Sequence, residues 1–204
     1  MKILIIAYFF PQTNTIGALR PYSWAKYFSS QGHDVTVATV KNREKPDDLD
    51  YDLSKFTVIS EPLTLKHNTS EHNSYNQDSQ CSSKKASLYS RIYASLKKTV
   101  FDFSTKTGIL YGCRYPDFRL GWVNRLYKRL KNEQFDVVIS TGCPYIVHSV
   151  AYKRRQDKDF FWVIDWRDLW TNNSAAKGLK VFHSYERKLE RKYHSACDLV
   201  TTVS

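Results

Sequence analysis

The run M-K-I-L-I-I-A-Y-F-F-P at residues 1–11 decides between two very different proteins. One lysine followed by eight apolar residues has the outline of a secretory signal. It lacks a small-residue cleavage site, and Pro11 closes it early. Ile3 to Phe9 is instead a continuous apolar run, rich in β-branched and aromatic residues, as in a central parallel strand covered on both faces. The next residues fit a strand. A loop, P-Q-T-N-T-I-G, leads into helical spacing from Ala18 to Gln31, with Leu19, Trp24 and Phe28 toward one side and Gly32 as the stop. His33-Asp34 then opens V-T-V-A-T-V, a second strand. Two strands joined through a helix imply a parallel pair.

The alternation resumes along the chain. Phe56 to Ser60 reads as a third strand. Residues 66–87 are dominated by Ser, Asn, Gln and Thr and read as a polar mobile loop. From 88 to 131 runs a basic helical insert with two amphipathic patterns, Leu88, Ile92, Leu96 and Val100, then Trp122, Val123, Leu126, Tyr127 and Leu130. Pro116 separates them. F-D-V-V-I-S-T-G at 135–142 is a strand, and Pro144 suits the first turn of a helix reaching Arg155. F-F-W-V-I-D at 160–165 is another strand. A charged helix over Lys177 to Ser195 and D-L-V-T-T-V-S at the terminus complete the pattern. The expected fold is α/β: a doubly wound, mostly parallel Rossmann-like sheet with helices on both faces, in a single domain spanning 1–204.

Composition narrows the class. The chain has 204 residues and a formal charge of +11. Lys84 to Lys131 alone carries 12 basic and 2 acidic residues, nearly the whole excess. A basic stretch so concentrated reads as a surface for a polyanion or as a solvated face on packing helices. With its aromatics it suits an anionic membrane surface, and Lys97, Lys98, Lys128 and Arg129 are its candidate contacts. Nucleic acid is disfavoured, because no recognition motif accompanies the charge. No stretch approaches the ~18 apolar residues of a membrane span. The four cysteines are far apart and form no C-x-x-C pair, so neither a zinc site nor a disulfide framework is expected, and a reducing cytoplasm fits.

A doubly wound sheet gathers ligands beyond the carboxyl ends of its strands. Those ends feed Pro11–Arg20, Gly142–His148 and Asp165–Trp170. Arg20, His148, Asp165, Arg167 and Asp168 are therefore expected on one rim. Neither G-x-G-x-x-G nor G-x-x-x-x-G-K-[ST] is present, which argues against a nicotinamide site and an NTPase loop. Gly17 could serve a turn or let backbone approach a phosphate. Arg167 and Asp168 could contact a ligand or form a structural pair. Trp162, Trp166 and Trp170 read as core or rim packing. Asp50-Tyr51-Asp52 imitates a metal-binding D-x-D by chance, and Glu186, Glu190 and His194 read as a solvated helix face, so no metal is expected.

Five pieces occur in order: Y-F-F-P-x(5)-G-A-L-R-P, G-H-D-V-T-V-A-T, F-D-V-V-I-S-T-G-x-P, D-W-R-D-L-W and D-L-V-T-T-V-S. Together they resemble the N-terminal domain of the family-4 type, GT-B-fold glycosyltransferases, particularly those building bacterial O-antigen, capsule or other surface polysaccharides. The resemblance implies a retaining, nucleotide-sugar-dependent enzyme needing no metal or other cofactor, whose N-terminal domain holds the acceptor. It implies a catalytically important role for Asp165, and the rim positions of Arg20, His148 and Arg167 make them the expected acceptor contacts. Ile16 and Gly17 match the loop that approaches donor phosphate or sugar. In the family a C-terminal domain carrying Glu-x7-Glu binds the donor. The present sequence supplies no such signature, so the chain alone is expected to be inactive, with a donor domain and a sugar or lipid-linked sugar as its partners. The competing expectation is a non-catalytic α/β binding or scaffold module that docks through its basic face.

Overall fold

A computed structural model describes residues 1–11, 15–41, 51–63, 99, 114–173 and 178–202. The polar loop 66–87, the first amphipathic pattern of the insert, and Lys97 and Lys98 lie outside the described residues.

Six strands form one parallel sheet: β1 (Lys2–Ala7), β2 (Asp34–Lys41), β3 (Thr57–Pro62), β4 (Val137–Gly142), β5 (Phe161–Trp166) and β6 (Leu199–Thr202), in the order β3-β2-β1-β4-β5-β6. The four described α-helices are α1 (Ile16–Ser30), α2 (Leu120–Leu130), α3 (His148–Arg155) and α4 (Lys180–Ala196). The α/β, Rossmann-like expectation holds. The order reverses between β1 and β4, the place where such sheets open a crevice.

Strand side chains alternate between faces, so each face has its own core. Ile3, Ile5, Val35, Val37 and Ile139 meet α1 on one face. Leu4, Ile6, Ala38, Val138, Trp162, Ile164 and Trp166 meet α2, α3 and α4 on the other. Burial on both faces explains why the first strand reads as a continuous apolar run.

Helix α1 packs the expected Trp24 and Phe28 against the core, but its most buried stripe is another one. Ala18, Pro21 and Ala25 are its buried residues, while Leu19 is 43% exposed. The spacing 18, 21, 25 follows one helical stripe, and its small residues let the helix sit close on β1 and β2. Helix α2 is likewise not part of an appended insert. Trp122, Val123, Leu126 and Leu130 are fully buried under the sheet, making α2 the crossover from β3 to β4. Its start lies against the carboxyl ends of the strands: Trp122 Nε1 donates to the Thr39 carbonyl at 3.4 Å, and Arg125 Nη2 to that of Pro62 at 2.7 Å. Pro144 does not open a helical turn. It is extended (φ −77°, ψ 148°), follows a cis peptide bond, and precedes a single 3-10 turn at Tyr145–Val147. Among the described residues no helix is long and apolar enough to cross a membrane.

Candidate functional site

Register puts Ala7, Thr141, Asp165 and Thr201 in one row across β1, β4, β5 and β6. In a parallel sheet such a row shares a face, here the α1 face. The row sits at or next to the carboxyl end of each strand, and its centre is Asp165, 0% exposed. A buried carboxylate needs partners. Asp165 has three. Arg20 Nη2 donates to Oδ1 at 2.7 Å, Thr201 Oγ1 donates to Oδ1 at 3.0 Å, and Thr141 Oγ1 donates to Oδ2 at 2.7 Å.

A second arginine crosses the same joint. Arg167 Nη1 donates to the Gly17 carbonyl at 2.9 Å. A Cβ on Gly17 would lie 3.2 Å from that nitrogen, so the missing side chain is what lets the guanidinium settle there. Arg167 thus takes a backbone partner, and no ion pair with Asp168 forms among the described residues. Asp168 is exposed and lines a shallow depression with Leu169, Asn172 and Asn173. Ile16, at the first position of α1, is 85% exposed. Arg20, Asp165, Arg167, Ile16 and Gly17 therefore come together from opposite ends of the chain. The Arg20–Asp165 contact alone spans 145 residues.

His148 is not among them. Its side chain belongs to the opposite face of the sheet, where Nδ1 shares a 2.8 Å hydrogen bond with Ser140 Oγ and the ring lies 4.4 Å from that of Trp166. It is 0% exposed, and Nε2 packs where a Cβ on Gly142 would lie only 2.8 Å away. Burial, helped by the charge of His194, pulls its pKa down to about 3, so the ring is neutral. An acceptor contact from His148 does not fit this position. The reason is helical phase: His148 opens α3 on its inward side, followed by buried Ser149, Val150 and Ala151.

Other charged groups are less solvated than their spacing suggests. Glu186 is 1% exposed; Arg114 Nη2 approaches its Oε2 at 2.8 Å, and Oε1 accepts from the Tyr115 backbone N–H at 2.7 Å. Glu190 accepts a short bond from Thr171 Oγ1. The expected solvated face of α4 is thus partly a buried anchor for the residues before α2 and after β5. At the carboxyl rim beside β1, Asp117 and Arg119 form a 3.1 Å pair that is almost wholly buried, with the guanidinium over the rings of Tyr8 and Phe118. Burial raises the pKa of Asp117. This cluster carries no sequence motif; only the run P-D-F-R before an amphipathic helix hints at it. Asp52 caps its own turn, accepting from the backbone N–H and hydroxyl of Ser54.

The three tryptophans are buried, at 0% for Trp162, 6% for Trp166 and 1% for Trp170. Lys128 and Arg129 are exposed on the outer side of α2. No group of three His, Cys, Asp or Glu side chains is placed to hold a metal among the described residues. Cys143, in the loop after β4, is disulfide-bonded. The spacing suggests no disulfide framework, so this bond departs from that expectation, while Cys197 is free. No protein-family model matches the chain, and no curated protein does either.

Proposed function

We propose that this chain is the acceptor-binding half of a retaining, nucleotide-sugar-dependent glycosyltransferase acting in surface polysaccharide assembly, with a donor-binding domain as its partner. One observation carries the reading: Gly17, Arg20, Asp165 and Arg167, each from a motif that carries the resemblance, are joined by direct hydrogen bonds at the carboxyl rim. In this proposal Ile16 and Gly17 face the donor across an interdomain cleft, and Arg20 and Arg167 face the acceptor. Asp165, buried with its oxygens occupied, acts by holding Arg20 and the joint between α1 and β5 rather than as a proton carrier at the reacting hydroxyl. That fits a retaining front-side reaction, in which donor phosphate assists removal of the acceptor proton. The proposed location is the cytoplasmic side of a membrane, reached through the basic outer side of α2.

The test is a binding and transfer experiment on the 204-residue chain. Saturation-transfer NMR against short oligosaccharides is expected to detect acceptor binding, with no turnover of nucleotide-sugars. Turnover by the chain alone overturns the half-enzyme assignment. Absence of binding to any oligosaccharide overturns the acceptor-side assignment. A non-catalytic docking module is the second reading, favoured by exposed Lys128 and Arg129. Sedimentation with phosphatidylserine vesicles separates its membrane part: a Lys128→Glu/Arg129→Glu variant that binds as well as the parent removes that contact.

A further inference from the structure

The guanidinium of Arg20 is held on two sides and open on a third. Nη2 is bonded to buried Asp165, and the plane lies over the Trp24 ring with Cζ 5.0 Å from its centroid. Nε is buried. Nη1 makes no hydrogen bond among the described residues and is not buried, and the side chain keeps 30% of its exposure. Arg167 repeats the arrangement one helical turn away: Nη1 is spent on the Gly17 carbonyl, while Nη2 and Nε are neither bonded nor buried among the described residues. Residues 17 and 20 lie one turn apart on α1, so the two guanidiniums are anchored to the same stretch of helix. The one carboxylate bonded to either of them is buried Asp165, shared by Arg20 and two threonines. Within this hydrogen-bonded network two guanidiniums share a single carboxylate, while the neighbouring Asp168 is exposed and lines the depression beside Leu169, Asn172 and Asn173. Both arginines have their geometry set before any ligand arrives, which lowers the entropy cost of a second charge-assisted hydrogen bond.

We infer that Arg20 and Arg167 form a preorganised site for an oxyanion of the ligand, a phosphoryl or carboxylate group bridged between the free edges of the two guanidiniums. Fork-shaped donors suit either anion, and bonds of this kind are the strong ones. The site does not require the glycosyltransferase reading. That the anion belongs to a transferase substrate does rest on it, and then the substrate is a phosphorylated or acidic sugar rather than a neutral one.

The experiment titrates the 204-residue chain with inorganic pyrophosphate and, separately, with glucuronate, following backbone amide shifts of residues 16–20 and 165–168. Saturable shifts there, with a Kd of about 1 mM or tighter, are expected from at least one ligand. Pyrophosphate alone identifies a phosphoryl group, and glucuronate alone a carboxylate. Arg167→Gln should weaken binding about tenfold or more. Arg20→Gln by itself strands a buried carboxylate, so the second variant is Arg20→Gln/Asp165→Asn, which removes both charges together and should lose binding to the same degree. Lys26→Gln, an exposed charge on the same helix, should leave it unchanged. The inference is overturned if neither anion gives saturable shifts, if either arginine variant binds like the parent, or if Lys26→Gln loses as much. None of these outcomes depends on sugar transfer, so failure of the functional reading stays distinguishable.

Discussion

The two faces of the sheet treat polar groups at the carboxyl ends of β4 and β5 in opposite ways. On the α1 face, Thr141 and Asp165 meet Arg20 in a charged network whose outer edge is open. On the other face, Ser140 binds His148 and Trp162 Nε1 in a neutral, closed box walled by Trp166. Adjacent residues on the same strand, Ser140 and Thr141, belong to different environments because side chains alternate. Proximity along the chain therefore says little about which polar group can meet a ligand; strand parity says more.

The largest expected effect breaks the charged side. Arg20→Gln leaves Asp165 buried without its cation and should cost about 3–5 kcal/mol in urea unfolding. Asp165→Ala should cost less, since the one-third-exposed Arg20 can turn to water. The double variant Arg20→Gln/Asp165→Asn should recover most of the loss. A double variant as unstable as Arg20→Gln would show that the pair is not the source.

The neutral side is tested by pH. The folded pKa of His148 lies far below its value in an unfolded chain, so the unfolded state takes up the proton first as pH falls. The contribution of His148 is therefore complete above about pH 6.5 and is lost progressively toward pH 3, by an amount on the order of 3–5 kcal/mol. Replacing it by His148→Gln should flatten that part of the stability–pH curve measured by chemical denaturation. An unchanged acid slope places the sensitivity elsewhere.

Two glycines give the finer comparison. Gly142→Ala drives a Cβ to 2.8 Å from His148 Nε2 and 3.3 Å from the Pro144 carbonyl oxygen, inside a box with little room, and should cost about 1–3 kcal/mol. Gly17→Ala meets the end of the flexible Arg167 side chain at 3.2 Å and should cost less than about 1 kcal/mol. Thermal unfolding of both variants checks the order, and a reversed order would contradict the contrast between closed and open sides.

Much of this architecture was legible before the fold. The continuous apolar run at Ile3–Phe9, and the shorter one at Val137–Ile139, announce buried parallel strands, because only strands covered on both faces dispense with alternation. The rim position of Gly17, Arg20, Asp165 and Arg167 follows from strand ends alone. Partners were less legible. Thr141 and Thr201 look like ordinary strand residues, and neither offers a local signal that it completes the shell of Asp165. Glu186 reads as one more charge on a polar helix; its burial depends on Arg114, 72 positions earlier in the sequence.

The sequence by itself determined the α/β class, the strand and helix succession and the rim that gathers the candidate residues, because hydrophobic period and turn chemistry are local. Tertiary structure alone decided that His148 is walled off while Arg20 stays open, that Asp165 is an anchor, and that α2 is a core crossover. Those outcomes depend on which face a side chain meets and what is packed across it, and both are set by contacts between residues far apart in the chain.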